Sequence, residues 1–228
     1  MIKVHHLNNS RSQRILWMLE ELGMEYEIIV YERDLKTLQG PESLRNIHPL
    51  GKSPIITDEN GGKELVIAES GAIVEYLLQE YGENSPFFKP KSGSQEERNY
   101  RYWLHFSEGS LMPPLLLRLI FDRIKKAKVP FFVKPITKAV ADKVLSEFVN
   151  PNIQRLLDLI ENSLKGKRWF LEDQLSGADI QMSFPLETCL ARGLINEHYT
   201  SIKSYVERIH EQPAYKAALK KGGKYDLA

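Results

Sequence analysis

The stretch from His48 to Tyr81 restricts the fold of this chain more than any other. It reads as turn, strand, tight turn, strand and helix. Ser53-Pro54 opens an apolar run through Ile55 and Ile56, and Glu59-Asn60-Gly61-Gly62 closes it. Asn60-Gly61 predicts a two-residue hairpin turn, because a type I′ turn needs φ > 0 at both central positions. Lys63 to Ala68 is the returning strand. Ser70 is a good helix N-cap, and Glu69 places a negative charge where a helix dipole favours one. The helix that follows puts Ile73, Val74, Leu77, Leu78 and Tyr81 on one face, and Gly82 stops it. A proline at the start of a strand leaves the backbone of Ser53 without a ladder partner. An acidic residue and a serine then stand at a helix start, where N–H groups bind anions. Such a unit can hold a peptide-like ligand, paired along Ser53 and gripped at Glu69-Ser70. The alternative is a capped hairpin and helix with no ligand.

The preceding residues extend the pattern. Ile2 to Leu7 reads as a strand and Asn8-Asn9-Ser10 as a turn. Ser10-Arg11-Ser12-Gln13 fits a capping box in which Ser10 and Gln13 satisfy each other's backbone donors. A helix with Ile15, Leu16, Leu19 and Leu22 on one side ends at Gly23. Glu25 to Tyr31 is a second strand, so the first three elements form a parallel crossover unit. Leu35 to Arg45 is a weaker helix, broken by Gly40-Pro41. The order βαβα-ββα over residues 1–82 is a thioredoxin-like arrangement.

Residues 83–94, rich in Pro, Ser and Gly, read as a linker. Beyond it, over 95–228, strands disappear and the pattern is all-helical. Gln95 to about Lys126 is one helical stretch, which Pro113-Pro114 must kink or end, and Tyr102, Trp103 and Phe106 are assigned to its core face. Pro135 to Lys165 is another, divided by Pro151. Ser176 and Asp179 form an N-cap pair whose expected role is structural. The fold class is therefore α/β followed by all-α.

Composition removes several functions. The 228 residues are 42% hydrophobic and 27% charged, as in an ordinary globular protein, and the net charge of +1 argues against bulk electrostatic binding of nucleic acid or a membrane surface. No apolar run approaches the roughly 18 residues of a membrane span. The lone Cys189 excludes an internal disulfide and fits a reducing cytoplasm. The first residues carry no apolar h-region, so no secretory leader is expected.

Two segments then carry a resemblance. Ile47-His48-Pro49-Leu50-Gly51-Lys52-Ser53-Pro54-Ile55-Ile56 and Glu69-Ser70-Gly71-Ala72-Ile73-Val74-Glu75-Tyr76-Leu77 resemble, in residue and spacing, a pattern of the glutathione transferase superfamily. The Ser176-x-Ala178-Asp179 element matches the same family, so the resemblance covers essentially the whole chain. The sequence around the paired prolines, from Tyr102 to Leu115, looks like a subgroup seen in fungi and bacteria. The resemblance implies an N-terminal thioredoxin-like domain that binds glutathione, a cis bond before Pro54, and an all-helical C-terminal domain lining a second-substrate site.

It also implies roles. Glu69 and Ser70 hold the γ-glutamyl end of glutathione, Ser53 and Pro54 form the turn beside its cysteinyl unit, and Lys52, with Gln39 as a weaker candidate, lies near the glycyl carboxylate. Ser10 stands where the serine-type members place their thiolate-binding serine, four residues before Arg14. A thiol of pKa about 8.5 brought down by two units needs about 2.7 kcal/mol of preferential anion stabilisation. A hydroxyl donor at a helix start supplies energy of that order. A plain cap is the alternative for Ser10, and Arg11 and Ser12 are the competing candidates. Glutathione is then a co-substrate, no metal or organic cofactor is required, and a homodimer is expected.

The second substrate, a small hydrophobic electrophile, would bind between the domains. His105, Glu108, Gly109 and Met112 lie on one side of the first long C-terminal helix at helical spacing, with ordinary packing as the alternative. His105 and Glu108 alone do not make a closed zinc shell. The rivals are a glutathione-dependent peroxidase using the same thiolate and a non-catalytic glutathione-binding or scaffold protein.

Overall fold

The structure, a computed structural model, describes residues 1–34, 37, 39–60, 62–83, 85, 87 and 90–227. Four strands form one mixed sheet in the order β2-β1-β3-β4, with β1 at Ile2–Leu7, β2 at Tyr26–Tyr31, β3 at Ile55–Asn60 and β4 at Lys63–Ala68. β1 and β2 run parallel through α1 (Ser12–Glu21), while β3 is antiparallel to both β1 and β4. Helix α2 (Ser70–Tyr81) follows β4 directly. Ile2, Val4 and Ile56 of the sheet, Ile15, Leu16 and Leu19 of α1, and Ile73 and Leu77 of α2 are buried in one core. Each such side chain contributes about 1.5–3 kcal/mol on leaving water.

The hairpin turn differs by one residue from expectation. The ladder keeps Asn60 paired with Lys63, so Asn60 is a strand residue and not a turn centre. Gly62 sits at φ +78°, a conformation that costs glycine nothing; Gly61 lies outside the described residues. The expected helix over Leu35 to Arg45 is replaced by a short 3-10 segment, Glu42–Asn46, entered from an extended Pro41. Leu35, Lys36 and Leu38 lie outside the described residues, as do Asn84, Pro86, Phe88 and Lys89 of the expected linker.

From Gln95 onward the described residues form helices: α3 (Gln95–Phe106), α4 (Met112–Lys125), α5 (Lys134–Val144), α6 (Asn150–Leu164), α7 (Gly177–Ala191), α8 (Thr200–Glu211) and α9 (Pro213–Gly222). The prolines do not end the long helices. Five-residue π turns, Ser107–Leu111 and Leu145–Val149, carry α3 into α4 and α5 into α6. In each, the last residue before the proline donates to a carbonyl five residues back: Met112 to Ser107 and Asn150 to Leu145. A proline ring has no N–H and crowds the carbonyl four residues earlier, and a widened turn relieves both conditions.

α7 is the axis of the helical half. Every residue from Gly177 to Cys189 is buried, so this helix has no solvent face over that span. Its start is the expected capping pair. Asp179 receives the Ser176 N–H at 2.9 Å and hydroxyl at 2.8 Å, together with the Phe170 N–H and the Tyr205 hydroxyl. Trp103 and Phe106 are buried as expected, but Tyr102 is half exposed, turned off the core face with its ring edge against Trp103. α9 returns across the molecule to pack on α1, with Tyr215 edge-on to Trp17 at 5.5 Å between ring centres.

Candidate functional site

The ladder between β3 and β4 ends at the Ile55–Ala68 pair, so Ser53-Pro54 and Glu69 stand just beyond its last rung. The Ser53–Pro54 bond is cis, and the Ser53 hydroxyl is tied to the His5 carbonyl at 2.8 Å, which fixes the turn to β1. Glu69 takes φ +68°, a strained angle for a residue with a Cβ, and turns the chain sharply into α2. The helix therefore begins with its first N–H groups facing the Ser53 turn.

These residues line one cleft of about 180 Å³, together with Arg11, Leu50, Lys52, Ala68, Ser70 and Glu108. Seven of the residues singled out in the sequence thus converge: Arg11, Lys52, Ser53, Pro54, Glu69, Ser70 and Glu108. Glu108 is the displaced one. Its helical spacing assigns it to a second-substrate wall, yet the π turn brings it to the same end as Ser70. Its carboxylate accepts both 2.9 and 3.0 Å bonds from Arg11 Nε and a 2.5 Å bond from Arg14. Burial raises the Glu108 carboxyl, but the Arg14 and Arg11 charges outweigh it and hold the group below its usual range.

Arg14 is the residue that the motif comparison passed over. It is buried on the face of α1 that carries Ile15 and Leu19's neighbours, where a cation must be paired. Its guanidinium donates to the Gln181 carbonyl at 2.5 Å, to the Ser70 hydroxyl and to Glu108, tying α1, α2, α3's π turn and α7 together. A lone arginine amid apolar residues is a sequence signal for such a node. Ser70 is accordingly not the N-cap: Glu69 occupies that position, and the Ser70 hydroxyl, within the first turn, accepts from Arg14 and from Gln181 Nε2 at 3.1 Å.

Ser10 and Ser12 do not line the cleft. The expected Ser10–Gln13 capping box does not form. Ser10 Oγ accepts the Ser12 N–H at 3.2 Å, and both amide atoms of the buried Gln13 side chain are without partners among the described residues. Ser12 is fully buried, with its hydroxyl 2.8 Å from His6 Nδ1, 2.8 Å from Ser10 Oγ and 3.2 Å from the Leu7 carbonyl. Burial lowers the His6 pKa. The Ser12 hydroxyl is thus surrounded by partners inside the protein, and the Ser10 hydroxyl is turned toward it.

Of the remaining residues expected at a site, Gln39 is exposed and outside the cleft, held by backbone bonds to Asp34 and Thr37. His105 and Gly109 face solvent, with open space around Gly109, and Met112 packs against the core. Among the described residues no three His, Cys, Asp or Glu side chains come together in a way that could hold a metal ion, and no helix is long and apolar enough to cross a membrane.

In charge, the cleft sets Arg11 and Lys52 against Glu69 and Glu108, with the buried Arg14 paired to Glu108. The cleft can therefore take a small ligand bearing both an ammonium group and carboxylates, with an anionic centre beside Arg11. Arg11 is well placed for this. Its Nε is committed to Glu108 and its guanidinium carbon lies 5.3 Å from the centre of the Phe184 ring, a cation–π contact, while the side chain is 35% exposed.

Two family models match this chain: "Glutathione S-transferase, N-terminal domain" over residues 1–79 and "Glutathione S-transferase, C-terminal domain" over residues 120–213. The chain is 36% identical over 225 residues to glutathione S-transferase 1 of Saccharomyces cerevisiae, covering 97% of this chain and 95% of that one. It is 36% identical over 222 residues to glutathione S-transferase 3 of Schizosaccharomyces pombe, covering 97% and 88%. Among solved structures it is similar to a glutathione S-transferase from Actinobacillus pleuropneumoniae, with a TM-score of 0.78, 35% identity, and coverage of 100% of this chain and 95% of that one.

Proposed function

Because the chain belongs to the glutathione S-transferase family, we propose that its cleft binds glutathione and presents the thiolate to a small hydrophobic electrophile. The observation that carries this reading is the convergence of Lys52, Ser53, Pro54, Glu69 and Ser70 on one cleft with Arg11. The first turn of α2 and Glu69 would take the γ-glutamyl end. The backbone of Ser53, beyond the last rung of the ladder, would pair with the cysteinyl unit as an added strand does. Lys52 would neutralise the glycyl carboxylate.

In this reading Arg11 is the thiolate's partner. The Ser10 hydroxyl is turned to Ser12 and does not line the cleft, whereas Arg11 reaches it with a permanent charge. Glu108 then holds Arg11 in place and offers its second oxygen to the ligand's ammonium group. The electrophile would sit on the solvent side of Arg11, near the open space at Gly109. We further propose a homodimer in the cytoplasm. The apolar stripe Leu116, Ile120 and Ile124 on α4, together with Ile136 and Val140 on α5, is exposed and supports an interface there.

The test is the ultraviolet thiolate absorbance of bound glutathione, titrated against pH. The wild type is expected to bind with a thiol pKa well below about 8.5. Arg11→Ala should bind and lose most of that shift, while Ser10→Ala should keep most of it. An Arg11→Ala protein with the wild-type thiol pKa would return the role to Ser10. No glutathione binding by the wild type would leave the scaffold reading.

A further inference from the structure

The loop that carries Arg11 is fastened by the other end of the chain. α9 ends at Gly222, and Gly223, at φ +80°, turns the backbone towards the segment between β1 and α1. Three anchors follow within five residues, each on a different part of the molecule. The first is Gly222 itself. A Cβ there would lie 2.6 Å from Gln13 Oε1 and 2.8 Å from Leu16 Cδ1, so the end of α9 lies close against α1. It also lies beside the His6 ring, from which the Ser12–Ser10 pair of hydroxyls runs to the loop. The second is Tyr225, whose hydroxyl donates at 2.6 Å to Glu187, a carboxylate buried in α7 that also receives Tyr215 at 2.5 Å. The third is Asp226. Its backbone N–H donates to Asn9 Oδ1 at 2.8 Å, and its carboxylate accepts from Asn9 Nδ2 at 2.8 Å.

Asn9 is the residue on which the loop turns. It holds φ +49°, in the left-handed region that asparagine tolerates better than most residues. On the other side Asn8 Oδ1 accepts the Arg33 N–H at 3.1 Å, so the loop is held from β2's end and from the C-terminal segment at once. Ser10 and Arg11 come next. The path of the backbone at Asn9 therefore sets where Arg11 enters the cleft.

We infer that residues 222–226 form a strap whose purpose is to position Arg11, with Asp226 a positioning residue that acts through Asn9. Fold stability alone does not call for this contact. The Asn9–Asp226 pair is exposed, and exposed hydrogen-bonded pairs contribute little to stability. Placement is more demanding. A charge displaced by about 1 Å from a reacting atom can cost far more in rate than in folding. The strap thus affects function out of proportion to its effect on stability. The role assigned to Arg11 rests on the glutathione reading above; the strap's hold on the loop does not.

The experiment uses the full chain with Asp226→Ala and Asp226→Asn. Asparagine keeps both bonds to Asn9, since its side-chain oxygen accepts and the backbone N–H is unchanged. In the ligand-free protein, amide exchange over residues 9–13 should quicken by about tenfold in Asp226→Ala and return to the wild-type rate in Asp226→Asn. With glutathione, Asp226→Ala should show a raised thiol pKa and a kcat lower by roughly threefold to tenfold, KM changing less. Asp226→Asn should restore both, and the melting temperatures should agree within about 2 °C. Unchanged exchange in Asp226→Ala overturns the strap, whether or not glutathione binds. Faster exchange with unchanged thiol pKa and kcat overturns its positioning role. If the wild type does not bind glutathione, the cleft reading fails, and the exchange rates alone decide for or against the strap.

Discussion

The two π turns solve the same backbone problem and have different consequences. Each lies just before proline, and each widens the helix so that the ring clears the preceding turn. At Ser107–Leu111 the widened turn swings Glu108 into the cleft, where it meets Arg11 and a fully buried Arg14. At Leu145–Val149 the corresponding acidic residue, Glu147, faces a shallow groove beside Arg118, Lys125 and Asp142, and Phe148 is 62% exposed. Both turns stand before prolines, and the first sets an acidic side chain against two arginines. A π turn is thus permission to redirect one side chain, and the identity of the partners decides whether that redirection matters.

The largest expected difference between the two is in stability. Glu108→Ala removes the carboxylate from Arg14, whose side chain is 1% exposed, and leaves a buried cation with only neutral partners. Breaking a buried pair on one side costs about 3 kcal/mol, which lowers the melting temperature of a chain of this size by about 6–12 °C. Glu147→Ala should change it by less than about 0.5 kcal/mol. Scanning calorimetry of the two variants measures this directly, and equal melting temperatures would erase the distinction.

The second difference is a pH dependence. The Glu108 carboxyl is held below its unfolded value near 4.5, burial opposing and the two arginines prevailing. Above that value both folded and unfolded states are ionised, and the stabilisation is fully present. As pH falls, the unfolded state takes up the proton first, and the contribution is lost on passing through the folded pKa. Urea midpoints at pH 5 and pH 3.5 should therefore differ less in Glu108→Gln than in the wild type. A Glu108→Gln protein that loses stability on acidification just as the wild type does would mean that the pair with Arg14 contributes nothing.

The prolines, the strands and the hairpin-to-helix unit were legible in the sequence because they depend on local chemistry. Ser53-Pro54, Glu69 and Ser70 fall where that chemistry places them, one beyond the ladder and the others at a helix start. Long-range partners were not legible. Ser10 looks like half of a capping box, yet its hydroxyl sits with Ser12 and His6 beneath the end of α9 at Gly222. Glu108 sits at the helical spacing of a second-substrate wall, and one extra residue in the turn brings it to Arg11 and Arg14 in the cleft. Propensity reads Pro113-Pro114 as a break, because it scores the α-helix against coil and leaves out a turn that keeps helical bonding at a wider pitch.

The smallest expected effect is the most direct test of what the prolines do. Pro151 is exposed, and Pro151→Ala returns an N–H to the second turn. If the ring alone forces the π turn there, that segment can relax to an α-helix, with a stability change of under about 1 kcal/mol and no change in glutathione affinity. The paired variant Pro113→Ala with Pro114→Ala permits the same relaxation at the cleft. Losing one residue from a helical turn rotates the side chains before it by about 100° relative to those after it, so Glu108 would leave Arg11 and Arg14 as α3 re-registers. Isothermal titration with glutathione then separates the two sites: weaker binding by the 113/114 variant, and wild-type binding by Pro151→Ala. Wild-type binding by both would show that the Glu108–Arg14 pair holds the π turn by itself. The prolines would then be tolerated by the turn and not its cause, and the likeness between the two turns would be one of shape alone.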